Sequence, residues 1–377
     1  MKIINELKLD FDDVLIKPKR SKLQSRKDVW AFRSFSFPHA ISELTDCCPL
    51  VAANMDTTGS FYMADTMSKN RAITCLHKHY NVEEYLEYYR NNLSSTSDFV
   101  FYSTGTSVSD LEKLDAVFEG TKAFRWSTPN LCVDVANGYS EKFVRTLANL
   151  RKKYPKSIII AGNVVTPEMT EELIMHGGVD IVKVGIGSGS VCTTRLKTGV
   201  GYPQLSAVME CADAAHGCGG HICSDGGCRT PADVCKAFGG GADFVMLGSM
   251  LAGTNECDGE WTYEYLADSS ELKFWQSIDP GYPTQRRKVS LQFYGMSSKE
   301  AQDKHHDGVA NYRTSEGRCV QIPYKGLAED TLRDILGGIR SCCTYVGAFK
   351  IKDLPKKTTF IRVNNTHNRI YETSPKR

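Results

Sequence analysis

Eight short apolar runs recur along the chain, each followed by an amphipathic, charged stretch. The runs fall at 48–54, 72–77, 99–104, 130–135, 157–161, 181–185, 221–224 and 244–247. They are continuous rather than alternating, the pattern of strands covered on both faces of a parallel sheet. Helical stretches lie at 61–69, 82–92, 109–118, 141–153, 167–176, 205–215, 231–238 and 329–339. Pro167 is well placed as a first helical residue, where its missing N–H costs nothing. Sustained strand–helix alternation predicts an α/β protein with a parallel sheet. Eight units fit a closed (β/α)8 TIM barrel, with an open doubly wound sheet as the alternative.

Length bears on the same choice. The 377 residues would hold two or three average domains, yet a barrel of this kind often runs to about 200–250 residues or more as one unit. The 46 basic and 44 acidic side chains leave a net charge of +2, so nothing in bulk composition calls for nucleic acid or an anionic membrane. Charges interrupt the N-terminus at Lys2 and Glu6, and no long apolar run occurs. The expectation is a cytoplasmic protein without a signal peptide or a spanning helix. The 14 cysteines include no Cys-x-x-Cys pair and read as thiols rather than a disulfide frame. His216, Cys218, His221, Cys223 and Cys228 lack zinc-ligand spacing and read as structural.

Two stretches break the rhythm, 187–201 after the sixth strand and 254–323 between the eighth strand and the last helix. Loops that follow barrel strands carry active sites. The first opens Gly185-Ile186-Gly187-Ser188-Gly189-Ser190-Val191-Cys192-Thr193-Thr194-Arg195. A dinucleotide fingerprint fits poorly, because no helix opens at the third glycine. Cys192, flanked by two threonines and an arginine, has the setting of a nucleophile; alone it would read as one more structural thiol. Ser224-Asp225-Gly226-Gly227-Cys228 and Leu247-Gly248-Ser249-Met250 end the seventh and eighth strands, where barrels commonly hold a phosphate. Asp225 is suited to accept from ribose hydroxyls. In Tyr312-Arg313-Thr314-Ser315-Glu316-Gly317, Glu316 reads as an acid or base and Arg313 as an anion partner, or both as solvated surface.

Together these segments resemble the IMP dehydrogenase/GMP reductase family, on its reductase side. The likeness runs from Leu9-Asp10-Phe11-Asp12-Asp13-Val14-Leu15 to Phe360-Ile361-Arg362-Val363. Its most specific parts are Ser190 to Arg195, Lys197-Thr198-Gly199-Val200-Gly201-Tyr202-Pro203-Gln204, His77-Lys78-His79-Tyr80 and Gly337-Gly338-Ile339-Arg340-Ser341.

The resemblance implies one barrel domain over 1–377, with an N-terminal arm, a cysteine loop at 187–201, a flap at 254–323 and a C-terminal extension. It implies a homotetramer that converts GMP to IMP and ammonia with NADPH, through a covalent thioimidate on Cys192. Thr194 and Glu316 would form its proton relay. Ser190, Asp225, Gly226, Gly227, Gly248 and Ser249 would hold ribose and phosphate. Gly295, Met296, Ser297, Arg313, Thr314, Ser315 and Gly317 would lie against the purine. Ser25, Arg26, Lys78, Asp134, Val135, Ala136, Ile186, Gly187, Met296 and Tyr312 match cofactor positions. Ser341, Cys342, Cys343 and Thr344 match positions that reach a neighbouring subunit's cofactor. Gly187, Gly189, Cys192 and Arg195 match a K⁺ site.

The dehydrogenase cousin, which oxidises IMP with NAD⁺, usually carries two regulatory domains after the second strand, and only 82–97 separates the second and third strands here. A non-catalytic nucleotide sensor on the same barrel is the other alternative; it would not need Cys192, Thr194 and Glu316 together. Three features depart from the reductase pattern: Ser188 in place of Pro, Ser249 in place of Gly, and a longer loop at 254–292. That loop's Trp261, Tyr263, Tyr265, Trp275 and Tyr282 read as a self-packed embellishment, or as a lid or subunit contact near the cofactor.

Overall fold

The computed structural model describes residues 1–92, 97–124, 129–265, 286–305, 308 and 314–364. Eight parallel strands form its centre: β1 (Leu44–Ala52), β2 (Ala72–Leu76), β3 (Val100–Thr104), β4 (Asn130–Asp134), β5 (Ile159–Val164), β6 (Ile181–Val184), β7 (His221–Asp225) and β8 (Phe244–Leu247). Each pairs with the next, and β8 returns to β1 with Val245 opposite Leu50 and Leu247 opposite Ala52. That last pairing closes the sheet into a (β/α)8 barrel and excludes the open sheet.

The helices that follow the strands are α1 (Phe61–Lys69), α2 (Val82–Asn91), α3 (Val108–Thr121), α4 (Glu141–Lys153), α5 (Pro167–Met175), α6 (Gln204–Gly217), α7 (Pro231–Gly239) and α8 (Ala328–Val346). Side-chain caps fix several starts: Ser60, Asn81, Ser107, Ser140 and Thr230 each accept from a backbone N–H of the first turn. Among the described residues no helix is long and apolar enough to cross a membrane.

The continuous apolar runs have a simple cause. One set of strand side chains packs outward on the helices, while the other fills the barrel with Val51, Ile73, Phe101, Cys132, Ile160, Ile181, Cys223, Phe244 and Met246. Buried thiols serve there as small apolar fillers. All 14 cysteines are free.

Three pairings went unread in the sequence. Arg33–Phe35 forms an antiparallel hairpin with the start of β1, so that strand opens at Leu44 rather than at 48. Phe35 stacks on Phe244 at 4.2 Å. Val14–Ile16 pairs with Phe360–Arg362, joining the N-terminal arm to the C-terminal extension. Within 254–323, Trp261–Tyr265, Arg286–Tyr294 and Cys319–Pro323 form a three-stranded antiparallel sheet. The sequence masks this strand because Arg286-Arg287-Lys288 opens it; its buried Leu291 and Phe293 alternate with half-buried Ser290 and Gln292.

Two aspartates brace the N-terminal end of the barrel. Asp180, just before β6, accepts from the backbone N–H groups of His39, Ala40 and Ile159 and from Arg151. Asp243, just before β8, repeats the device with Ile222, Arg33 and His216. Burial opposes the charge of Asp243, but His216, His221 and Arg33 hold its carboxyl well below the usual range. Of the sequence cluster His216 to Cys228, the two histidines are thus brought to one carboxylate.

Replacing Asp180 with Ala would leave the half-buried Arg151 without its carboxylate partner and three backbone N–H groups without their acceptor. The expected loss is about 3–5 kcal/mol, read as a lower urea midpoint. An unchanged midpoint would show that the brace is dispensable.

Candidate active site

At the C-terminal ends of the strands lies a cavity of about 280 Å³. Cys192, Thr194 and Glu316 line it together with Asp134, Val135, Ala136, Ile186, Gly187, Asp225, Met296 and Ser297. The cysteine loop reaches it by a close turn over β7. A Cβ on Gly185 would stand 2.0 Å from the carbonyl oxygen of Asp225, so only glycine fits. Ser188 then donates its hydroxyl to that same carbonyl at 3.1 Å, a bond that proline could not make.

Backbone pairing brings the flap to this loop. Cys192 and Gly317 form an antiparallel bridge. Arg318 N–H donates to Val191 O at 2.9 Å, and Thr193 N–H to Glu316 O at 2.9 Å. The Arg318 guanidinium adds two bonds to Ser190 O. Side chains far apart in sequence therefore meet. Cys192 Sγ donates to Thr194 Oγ1 at 3.2 Å, and Thr194 Oγ1 donates to Glu316 Oε2 at 2.7 Å. The result is an unbroken thiol–hydroxyl–carboxylate chain, able to move a proton in either direction.

The flap has a second attachment. Asp56, buried after β1, accepts from Tyr294 Oη at 2.6 Å, His305 Nε2 at 2.7 Å and Lys304 Nζ at 3.1 Å. Burial alone would raise its pKa, but these three donors hold the carboxyl below its ordinary range. Tyr294 directly precedes Gly295, Met296 and Ser297, and Ser297 O accepts from Glu316 N–H at 3.1 Å. Asp56 thus fixes the strand that places Glu316.

The motif His77-Lys78-His79-Tyr80 divides its labour. His77 is buried, stacks on Tyr80 at 3.9 Å and accepts from His79 N–H. His79 stacks on His305 of the flap at 3.5 Å. Lys78 pairs with Asp110 at 3.1 Å.

On the floor of the cavity, sequence reading named Asp134 and Asp225 but missed Lys183, Asn54 and Asn163. Lys183 on β6 is 2% exposed and lies 2.5 Å from Asp134 Oδ1, 3.3 Å from Asn54 Oδ1 and 3.4 Å from Asp225 Oδ2. Asn163 donates to Asp225 Oδ2 at 2.9 Å. Burial opposes the charge on Lys183, but Asp134 and Asp225 outweigh it and lift its pKa well above an ordinary lysine. The signal was present: Lys183 is the one charge in the apolar run at 181–184.

Other expected residues fall in three places. Ser190 and Gly227 line an adjoining cavity of about 270 Å³, with Arg195, Arg229 and Arg318. Gly226, Gly248 and Ser249 follow β7 and β8, and Ser249 O accepts from Lys325. Gly295 packs against Val191 O and Gly317, Ser315 Oγ bonds Gly317 O, and Thr314 is exposed. Ser25 and Arg26 form a turn beside α8, away from the cavity. On α8, Ser341 and Cys342 line an apolar groove of about 370 Å³. The Ser341 and Thr344 hydroxyls bond helix carbonyls, and Cys343 is buried. Gly187 packs on the Arg195 side chain, and Gly189 on Cys192. Arg195 also bonds Asp10 and Tyr202 O. Trp261 donates to Cys257 O and packs on Tyr324. Tyr312, Arg313, Trp275 and Tyr282 lie outside the described residues, as does the side chain of Tyr265.

A family model described as the IMP dehydrogenase / GMP reductase domain matches residues 8–375. The chain belongs to the IMP dehydrogenase/GMP reductase family. It is 53% identical over 371 residues to the GMP reductase of Escherichia coli O81 (strain ED1a), covering 98% of this chain and 99% of that protein. The GMP reductase of Escherichia coli (strain K12 / DH10B) gives the same figures. This family member carries its thiol, hydroxyl and carboxylate on two separate segments, joined only where the flap docks.

Two outcomes follow from the flap contacts. Asp56→Asn is expected to lower kcat about tenfold or more through misplacement of Glu316, on the scale of one displaced acid–base group, while modification of Cys192 by iodoacetamide persists; unchanged kcat would refute the coupling. Burial, then neighbouring histidines, depress His77 to about 3 and His79 to about 4 from 6.5. Between those values and 6.5 the unfolded chain binds more protons, so stability falls as pH drops through that window. His77→Gln should flatten the fall of the urea midpoint, and an equally steep fall would count against it.

Proposed function

We propose that this protein is an NADPH-dependent GMP reductase, converting GMP to IMP and ammonia in purine nucleotide interconversion. The observation that carries the reading is the Cys192–Thr194–Glu316 chain at the cavity wall. Near-full-length identity to GMP reductases supports the substrate.

The Cys192 proton passes through Thr194 to Glu316, leaving a thiolate that adds to the electron-poor C2 of the purine. The amino group is a poor leaving group and must gain a proton as it departs. Glu316 returns one through Thr194, the C–N bond breaks, and ammonia leaves a thioimidate on Cys192. NADPH, held by the residues named below, would supply the hydride that C2 takes up. The C–S bond then breaks with its electron pair returning to sulfur, and IMP is released. One proton from solvent per turnover balances the hydride.

The residues present fit these ligands. Asp134, Val135, Ala136, Ile186 and Gly187 share a cavity with Cys192 and would hold the nicotinamide end of the cofactor, together with Lys78, Met296 and Tyr312. Asp225, Gly226, Gly227, Gly248, Ser249 and Ser190 would hold ribose and phosphate. Backbone N–H groups and the nearby arginines serve an anion there. Gly295, Ser297 and residues 313–317 would lie along the purine. Gly187, Gly189, Cys192 and Arg195 lie on one loop, and their backbone carbonyls would be the ligands of K⁺. Ser25, Arg26 and Ser341 to Thr344 would meet the cofactor of a neighbouring subunit in a homotetramer. Exposed Trp30, Tyr345 and Phe349 support such an interface. The chain is read as one cytoplasmic barrel domain, with its cysteine loop at 187–201 and a flap at 254–323.

Absorbance at 340 nm tests the reading. GMP should drive loss of NADPH, and IMP with NAD⁺ should give no comparable gain. GMP binding without NADPH loss would mark a sensor instead. Cys192→Ala should retain GMP binding and lose turnover; ammonia release by that variant would overturn the nucleophile. Glu316→Gln should lower kcat by about 10²–10⁴.

A further inference from the structure

Lys183 is a buried charge that the reaction above does not use. Its place follows from strand register. Asp134 on β4 stands opposite Gly162 on β5, and Gly162 opposite Lys183 on β6. Gly162 leaves a gap in this row: a Cβ there would stand 2.6 Å from the Lys183 Cβ. Through the gap Lys183 reaches Asp134, two strands away, while Asp225 flanks it from β7.

Lys183 Nζ donates to Asp134 Oδ1 and Asn54 Oδ1 and forms an ion pair with Asp225 Oδ2 at 3.4 Å. The same contacts occupy one oxygen of each carboxylate, Oδ1 of Asp134 and Oδ2 of Asp225, the latter also held by Asn163. Both residues line the same cavity. The remaining groups near the ammonium are the thiols of Cys75, Cys132 and Cys223, with Lys78 beyond Asp134. Among the described residues no other cation lies between the two carboxylates.

We propose that Lys183 is a positioning residue shared by the two ligand subsites, keeping Asp225 aimed at the nucleotide ribose and Asp134 aimed at the cofactor. The inference rests on the GMP and NADPH reading above. Without the ammonium, two like charges in a poorly solvated floor repel, and each carboxylate either swings away or takes up a proton. One substitution then weakens two ligands that bind different residues.

The test compares Lys183→Met with the wild-type enzyme. The wild type is assayed first, and its failure to oxidise NADPH with GMP would defeat the functional reading rather than this one. In the variant, Kd for GMP and KM for NADPH are both expected to rise about tenfold or more. Iodoacetamide should modify Cys192 at a rate within about twofold of wild type, which a general collapse of the site would not allow. Adding Asp134→Asn to Lys183→Met removes the repulsion and should restore most GMP affinity, although Asp134 belongs to the cofactor side. GMP affinity within twofold of wild type in folded Lys183→Met, loss of affinity for one ligand only, or no recovery in the double variant would each overturn the proposal. Should the methionine variant fail to fold, Lys183→Gln removes the charge while keeping donors, and the same outcomes decide.

Discussion

The parallel pairing of β8 with β1 is the constraint on which the rest of the molecule depends. It joins residues 44–52 to residues 244–247 and so turns an eight-unit repeat into a ring. A ring has one rim where all its strands end. Asn54 and Asp56 after β1, Lys78 after β2, Asp134 on β4, Asn163 on β5, the cysteine loop after β6 and Asp225 on β7 therefore share that rim, although they are scattered between residues 54 and 225. An open sheet made from the same units would spread them along a line.

On that rim, a rigid half and an added half do different work. The barrel supplies the thiol, the hydroxyl and a charged floor, held by strands whose residues are almost wholly buried. The flap supplies the carboxylate. It is seated by two contacts of different kinds, a backbone bridge at Cys192 and Gly317 and a buried carboxylate, Asp56, with three donors. Backbone pairing fixes register to the residue, whereas the Asp56 cluster fixes position through charge and hydrogen bonds. Neither would place Glu316 alone.

The barrel was legible in the sequence because burial on both faces leaves a continuous apolar signature in every strand. All eight strands and eight helices were located, with errors confined to ends such as Leu44 of β1. The cysteine, threonine and glutamate were legible only as separate motifs; their contact depends on pairing between segments far apart, which no local pattern encodes. The flap sheet was hidden for another reason. Its central strand opens in Arg286-Arg287-Lys288, and apolar residues alternate with polar ones along the sheet, so no continuous apolar run marks it. Lys183 was visible as an anomaly, a charge inside a buried run, but its meaning required the register that sets it opposite Gly162.

The division of the relay between two segments also has a consequence in time. Ribosomal synthesis delivers Cys192 and Thr194 well before Glu316. A barrel that has begun to form around the first two has a cysteine with no base attached. Its reactivity waits for the last part of the chain, and a product truncated before the flap would present the loop but not the carboxylate. Completion of the polypeptide is thereby written into the chemistry of the site.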